Sequence, residues 1–550
     1  MFSDKENINI LTSLLIAHGV RYAVVCPGSR NAPIVHNLAS CGQIKCYPVT
    51  DERSAGFYAL GLCQAVNGPV VVCVTSGTAL LNLAPAVAEA FYQNLPLIVV
   101  SADRPLQWIN QLDGQTLPQA NIFGNFVRKS VNLLEPTDEE HHWYCNRLVN
   151  EALIECVKGS CSPIHINVPI TEPLYQFNVS VLPTERKIEL LSVSSTDEGS
   201  LMQQLSPLFN SIDKAERPLI IIGQQKPSAS FTIALERLHA QQYVVLYEPL
   251  SVERGEGYIE EMMQLIGDDK TFLPDFILYI GGHLVSKRVK QFLRKTRNVE
   301  CWIINSEGVL YDTFMNLHGV IQADSNAVLS ALPCKGKTEW FEQWENLKQK
   351  ARKHRVEYQP QYSSMLAVKQ FETLINQVES ECVVHYANST SVRLGCIYAQ
   401  HFVFCNRGVN GIEGSLSTAA GYSLATKQRV FCVIGDLSFF YDQNALWNQN
   451  LGGNFRILLL NNGGGGIFSK FEGLKDSPVR QQMVMAEHTT TAKGVCHDNH
   501  IRYLSANKES SLEQALHALV FDNSPQPMLL EVFTDVEKEM KIYQDYFRTI

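Results

Sequence analysis

Two short segments late in the chain carry the residue types of a cation site. Gly435-Asp436-Leu437-Ser438 closes one apolar run, and Asn461-Asn462-Gly-Gly-Gly-Gly466 closes the next. Asp436 offers a hard carboxylate oxygen, and Asn462, 26 positions on, offers an amide oxygen. Backbone carbonyls of the glycine run can add more. That donor set suits Mg²⁺, which takes six oxygens and keeps phosphate or water among them. The glycines permit φ > 0 and close backbone approach. Either segment alone reads as an ordinary strand-end turn. Together they sit at adjacent strand ends, where open α/β sheets bind ligands.

Glu52 is the next candidate. It follows a strand-like run and opens an apolar helical stretch, Ser54-Ala-Gly-Phe-Tyr-Ala-Leu-Gly61. A carboxylate there ordinarily caps its helix. Partly desolvated, it could instead carry a raised pKa and share a proton with a bound base. Basic residues recur at turns: Arg30 after Pro27-Gly28, Arg104 in Ser101-Ala-Asp-Arg-Pro105, Arg393, Arg407 in Asn406-Arg-Gly408, and Lys287-Arg288 after Gly281-Gly282. Each alone reads as a surface residue. Several converging on one cleft would suit a polyanionic substrate, because guanidinium pairs carboxylate bidentately. Glu139-Glu-His-His-Trp-Tyr-Cys145 holds metal-capable side chains but reads as an exposed helix start. A GxSxG elbow and a Walker loop are absent, and no GxGxxG opens a first strand–helix turn.

These residues need strands to carry them. Runs at 22–25, 45–50, 70–75, 96–101 and 164–169 alternate with helical stretches. So do runs at 218–223, 243–247, 276–281 and 301–305, and again at 382–386, 430–434, 455–460 and 528–533. Such alternation predicts α/β architecture with doubly wound parallel sheets. Polar residues 180–200 read as a first linker, and the charged helix and loop of 340–362 as a second. The 550 residues thus divide into three domains: 1–180, 200–335 and 360–550. A net charge of −9 without basic blocks argues against nucleic-acid binding. No apolar run approaches the roughly 20 residues that span a membrane. The polar N-terminus does not read as a secretory signal, and the 15 cysteines, many in apolar runs and none in a CxxC pair, read as buried thiols of a cytoplasmic protein.

Taken together, these segments resemble the thiamine-diphosphate-dependent decarboxylase superfamily. Gly435-Asp436…Asn461-Asn462 is similar to its GDG…NN diphosphate-and-magnesium signature, with Leu437 in place of the second glycine. Within the superfamily the chain is most similar to the menaquinone-pathway branch, whose members also tend to carry GDL or GDxS. That likeness keeps its order along almost the whole chain, through Cys26-Pro-Gly-Ser-Arg30, Asp51-Glu-Arg53, Thr75-Ser-Gly-Thr78 with Asn82, Ser101-Ala-Asp-Arg-Pro105, Asn406-Arg-Gly-Val-Asn-Gly411, Leu416-Ser-Thr-Ala-Ala-Gly421 and Ile467-Phe468. It is looser in the middle, chiefly at Lys287-Arg288, and Gly114 stands beside Gln115 where the branch has Asn.

The resemblance implies a three-domain thiamine-diphosphate-enzyme fold with an N-terminal pyrimidine-binding domain, a central domain, and a C-terminal diphosphate- and metal-binding domain. It implies thiamine diphosphate with Mg²⁺ or Mn²⁺ as cofactors. Glu52 would hydrogen-bond the aminopyrimidine N1′ as the catalytic residue. Thr75, Asn82, Gly435, Leu437 and Ser438 would contact the cofactor, Ile412 would prop it in a bent form, and Ile467 and Phe468 would wall its thiazolium. Asp436, Asn462 and the Gly464 carbonyl would hold the metal. The implied reaction decarboxylates 2-oxoglutarate and adds the succinyl carbanion to isochorismate in a conjugate (1,4) sense. Ser389, Arg393 and Arg407 would take the succinyl side. Ser29, Arg30, Arg104, Gln115, Lys287 and Arg288 would take isochorismate. The working unit would be a homodimer or homotetramer with active sites between subunits. Two other readings compete: a simpler 2-oxo-acid decarboxylase or acetolactate-type carboligase, and a cofactor-free regulatory subunit, which predicts loss of Glu52, Asp436 or Asn462.

Overall fold

Strands such as Val-Val-Val-Cys-Val (70–74) are buried along their whole length, so both faces of their sheet must be covered. The computed structural model describes residues 1–191, 198–226, 228–296, 299–332, 336–470, 472–474 and 476–550. It shows three such sheets. The first contains β1 (Tyr22–Val25), β2 (Lys45–Pro48), β3 (Val70–Val74), β4 (Leu97–Asp103), β5 (Lys129–Asn132) and β6 (Ile164–Pro169), in the order β2-β1-β3-β4-β6-β5. The middle sheet contains β7 (Pro218–Ile222), β8 (Val244–Tyr247), β9 (Phe276–Ile280), β10 (Glu300–Asn305) and β11 (Leu317–Gln322), ordered β11-β10-β9-β7-β8. The third contains β12 (Cys382–Tyr386), β13 (Val403–Phe404), β14 (Arg429–Gly435), β15 (Phe455–Asn461), β16 (Arg502–Ala506) and β17 (Met528–Phe533), ordered β13-β12-β14-β15-β17-β16.

Neighbouring strands within each sheet run parallel. Alternate residues enter opposite cores. Val70, Val72 and Val74 join one cluster while Val71 and Cys73 join another. This is the expected three-domain α/β architecture.

One core is shared between the first and third domains. The helix Glu52–Val66 packs on the helix Ser415–Ser423, and residues of both lie in that cluster with strand residues of both sheets. The helices approach until glycine is required: a Cβ on Gly61 would overlap the Thr418 carbonyl, and one on Gly421 would overlap the backbone of Tyr58.

The second linker reading needs a correction. Residues Thr338–Glu357 do form a helix, but it buries Trp340, Trp344, Leu347 and Ala351 in the middle domain's core. Its charged residues mark a half-exposed face rather than a tether. Buried Arg355 closes its end, pairing with Glu261 at 2.7 Å, and the Tyr546 hydroxyl donates to the same carboxylate. Part of the first linker expectation, 192–197, lies outside the described residues. Among the described residues no helix is long and apolar enough to cross a membrane.

Candidate active site

Strands β14 and β15 are neighbours, so their C-terminal turns meet. Asp436 is 3% exposed. Its Oδ2 accepts from the backbone amides of Asn462 (3.1 Å), Gly463 (2.8 Å) and Gly464 (3.0 Å), and its Oδ1 accepts from Leu437 N at 2.7 Å. Gly463 and Gly464 adopt φ of +80° and +157°, which lets consecutive N–H groups converge on one oxygen. Burial pushes the Asp436 carboxyl up, while those amides and nearby His488 pull it back. The Asn462 amide is oriented by Glu539, whose Oε2 accepts from Nδ2 at 2.8 Å. A carboxylate accepts only, so Asn462 must present Nδ2 to Glu539 and turn its Oδ1 to the glycine loop, where it accepts from Gly464 N at 3.3 Å. The Ser438 hydroxyl donates to the Ile412 carbonyl, Ile412 itself is exposed, and Ile467 and Phe468 lie half-buried in the turn Gly466–Lys470.

Glu52 opens the helix Glu52–Val66, which Asp51 caps by accepting from Ser54 N at 2.9 Å. Capping thus falls to Asp51, and the partly exposed Glu52 carboxylate accepts from Asn82 Nδ2 at 3.4 Å. Thr75 is buried, and among the described residues its hydroxyl has no partner. Among the described residues no hydrogen bond or ion pair joins Glu52 to Asp436.

The hydrogen bonds and ion pairs of the basic residues fall into two sets. In the first domain, buried Arg30 donates to the Ile170 carbonyl at 3.1 Å and pairs with Glu172 at 2.9 Å. Arg104 pairs with Asp113 at 3.0 Å and reaches Glu172 at 3.7 Å. Ser29 is exposed beside Arg30, and Gln115, at φ +56°, lies against Gly77. The second group joins the middle and third domains. Arg407 donates to Asn388 Oδ1 at 3.0 Å and to the Leu284 carbonyl at 3.4 Å. Arg393 donates to the carbonyl of Ser389, which has φ +73°. Lys287 is exposed, whereas Arg288 turns to Glu260 at 3.6 Å and stacks over the Phe547 ring.

Comparison with known proteins places this arrangement. Residues 8–124 match the family described as thiamine pyrophosphate enzyme, N-terminal TPP binding domain. Residues 271–379 match the middle domain of thiamine pyrophosphate enzymes. The chain is 43% identical, over 100% of its length and 99% of the relative's, to a 2-succinyl-5-enolpyruvyl-6-hydroxy-3-cyclohexene-1-carboxylate synthase of Phocaeicola vulgatus. A protein of that name from Bacteroides thetaiotaomicron is 43% identical over the full length of both chains. One from Porphyromonas gingivalis is 33% identical over 100% of this chain and 98% of its own. The chain belongs to this synthase family.

Three further residues beside these basic side chains were not read from the sequence. Lys290 donates to the Leu284 carbonyl at 3.1 Å, and burial, then Arg407, lowers its pKa. His283 lies 3.3 Å from Asn410, and Glu172 answers both first-domain arginines. Periodicity could not mark them, since each meets its partner only after folding. The synthase-family donors fit a cation. Among the described residues no group of three or more His, Cys, Asp or Glu side chains could hold a metal. An ion here would therefore take one carboxylate, one amide oxygen and a backbone carbonyl, leaving positions for phosphate and water. A Cβ on Gly435 would meet nothing within 4 Å, so the strand end is open to a diphosphate.

Proposed function

We propose that this chain decarboxylates 2-oxoglutarate and adds the resulting succinyl unit to isochorismate in a conjugate (1,4) sense, giving 2-succinyl-5-enolpyruvyl-6-hydroxy-3-cyclohexene-1-carboxylate for menaquinone biosynthesis. The observation that carries this reading is the full-length match to synthases of that name, at 43% identity. Thiamine diphosphate, when bound, supplies the carbon nucleophile and the electron sink for decarboxylation. Asp436, Asn462 Oδ1 and the Gly464 carbonyl hold Mg²⁺ or Mn²⁺ against its diphosphate, with Gly435, Leu437 and Ser438 lining that end. Glu52, braced by Asn82, holds a proton at the aminopyrimidine N1′ beside Thr75. Ile412, Ile467 and Phe468 shape the thiazolium end and exclude water.

Both substrates are dicarboxylates, which accounts for the number of basic residues. Ser389, Arg393 and Arg407 take 2-oxoglutarate. Ser29, Arg30, Arg104, Gln115, Lys287 and Arg288 take isochorismate. That no hydrogen bond or ion pair among the described residues joins Glu52 to Asp436 within one chain fits a homodimer or homotetramer whose sites lie between subunits. Exposed apolar side chains on the first domain (Leu106, Trp108, Leu112) and on the third (Ile412, Tyr441, Trp447) support the same reading. The reducing cytoplasm suits the described cysteines, which are all free.

The test is a spectrophotometric assay with thiamine diphosphate, Mg²⁺ and 2-oxoglutarate, following loss of isochorismate absorbance. Consumption that needs all three additions is expected. CO₂ release without isochorismate consumption would make the chain a simpler decarboxylase.

A further inference from the structure

All three domains act on Arg407. Its own domain supplies Asn388, whose Oδ1 accepts from Nη1 at 3.0 Å and whose Nδ2 donates to the carbonyls of Asn406 and Gly411. The middle domain supplies the Leu284 carbonyl, which accepts from Nη2 at 3.4 Å and from Lys290 Nζ at 3.1 Å. Three of its five N–H donors remain, one on each terminal nitrogen and the buried Nε–H, which has no partner among the described residues.

The first domain acts on the loop rather than the side chain. Glu89, on the helix Ala84–Tyr92, is buried, and its two oxygens accept from Gly408 N and Val409 N, both at 2.7 Å. Glu248, just after β8, does the same in the middle domain. Equally buried, it accepts from Val285 N at 2.7 Å and Ser286 N at 2.8 Å, next to Leu284.

Two buried carboxylates each grip two consecutive amides, and among the described residues neither forms an ion pair. Burying an unpaired charge is costly, and a helix or loop can be packed without one. What a carboxylate offers here is two acceptors and no donor, which fixes the plane and direction of the gripped peptide. Glutamine would set an NH₂ against one of the N–H groups. We propose that Glu89 and Glu248 are positioning residues: from two different domains they clamp the two loops that meet at Arg407, and so aim the uncommitted N–H groups of its terminal nitrogens at a substrate carboxylate. This inference rests on the reading of Arg407 as a 2-oxoglutarate ligand.

The test is steady-state kinetics of the holoenzyme for E89Q, R407A and the double variant, with thiamine diphosphate affinity measured alongside by calorimetry. R407A is expected to raise the KM for 2-oxoglutarate roughly 10- to 100-fold, the scale of one charge-assisted hydrogen bond. E89Q should raise the same KM about tenfold and leave cofactor affinity unchanged. The double variant should be no worse than R407A, because the aim of an absent guanidinium does not matter. E248Q should behave as E89Q does. Additive effects, or a wild-type KM in E89Q while R407A is impaired, would overturn the positioning role alone. A wild-type KM in R407A would instead overturn the assignment of Arg407 and this inference with it. Should E89Q not fold, E89D keeps the charge but shortens the reach, and the same non-additivity with R407A is required of it.

Discussion

Glu52 stands at the first turn of a helix whose cap is supplied by its neighbour Asp51. Its carboxylate is therefore not spent on capping, and among the described residues Asn82 donates to it. Replacing it by glutamine keeps the shape and removes the group proposed to hold the proton. Glu52→Gln is expected to lower kcat about 10²- to 10⁴-fold, the range of positioned acid–base catalysis, while calorimetry finds thiamine diphosphate bound with near wild-type affinity. A kcat within about threefold of wild type would end the proton-holding role. Asp436, Asn462 and Glu52 were legible in the sequence because each lies beside a strand-end turn with its own local pattern. Glu89 was not, since the amides it grips are 319 and 320 residues away. Nor was Glu539, 77 residues from the Asn462 amide it orients. No spacing rule reaches that far.

The same division holds among the elements. The central strands were legible as apolar runs because they are buried on both faces. Four strands were not read: β5, β11, β13 and β16. Each lies at the edge of its sheet. Their residues, such as Lys-Ser-Val-Asn in β5 and Arg-Tyr-Leu-Ser-Ala in β16, are partly exposed and mix polar with apolar. The contact between the helices Glu52–Val66 and Ser415–Ser423 carries its own prediction. Gly61→Ala gains about 1 kcal/mol of helix propensity. Against this, its Cβ meets the Thr418 backbone, which cannot rotate away as a side chain would. Overpacking of this kind costs about 1–3 kcal/mol and often more when backbone must move. A net loss of roughly 1–2 kcal/mol is expected, read as a lower urea midpoint with unchanged slope. An unaltered midpoint would mean that the first and third domains can separate at no cost.

At the scale of the whole molecule, the first and third domains share a core, yet among the described residues no hydrogen bond or ion pair joins Glu52 to Asp436. The proposal that the catalytic centre draws them from different chains has a quantitative consequence. Glu52→Gln and Asp436→Asn should each be nearly inactive alone. Mixed by co-refolding or co-expression at equal amounts, random pairing makes about half of the dimers hybrid. Each hybrid holds one site with both defects and one with neither. The mixture should therefore recover about a quarter of wild-type turnover per site, with wild-type KM for both substrates, because the restored sites are wild type in every residue. Recovery should also track hybrid content as the mixing ratio is varied, peaking at equal amounts. If both residues instead served one site within a single chain, no pairing could unite an intact Glu52 with an intact Asp436, and the mixture would stay as inactive as its parents.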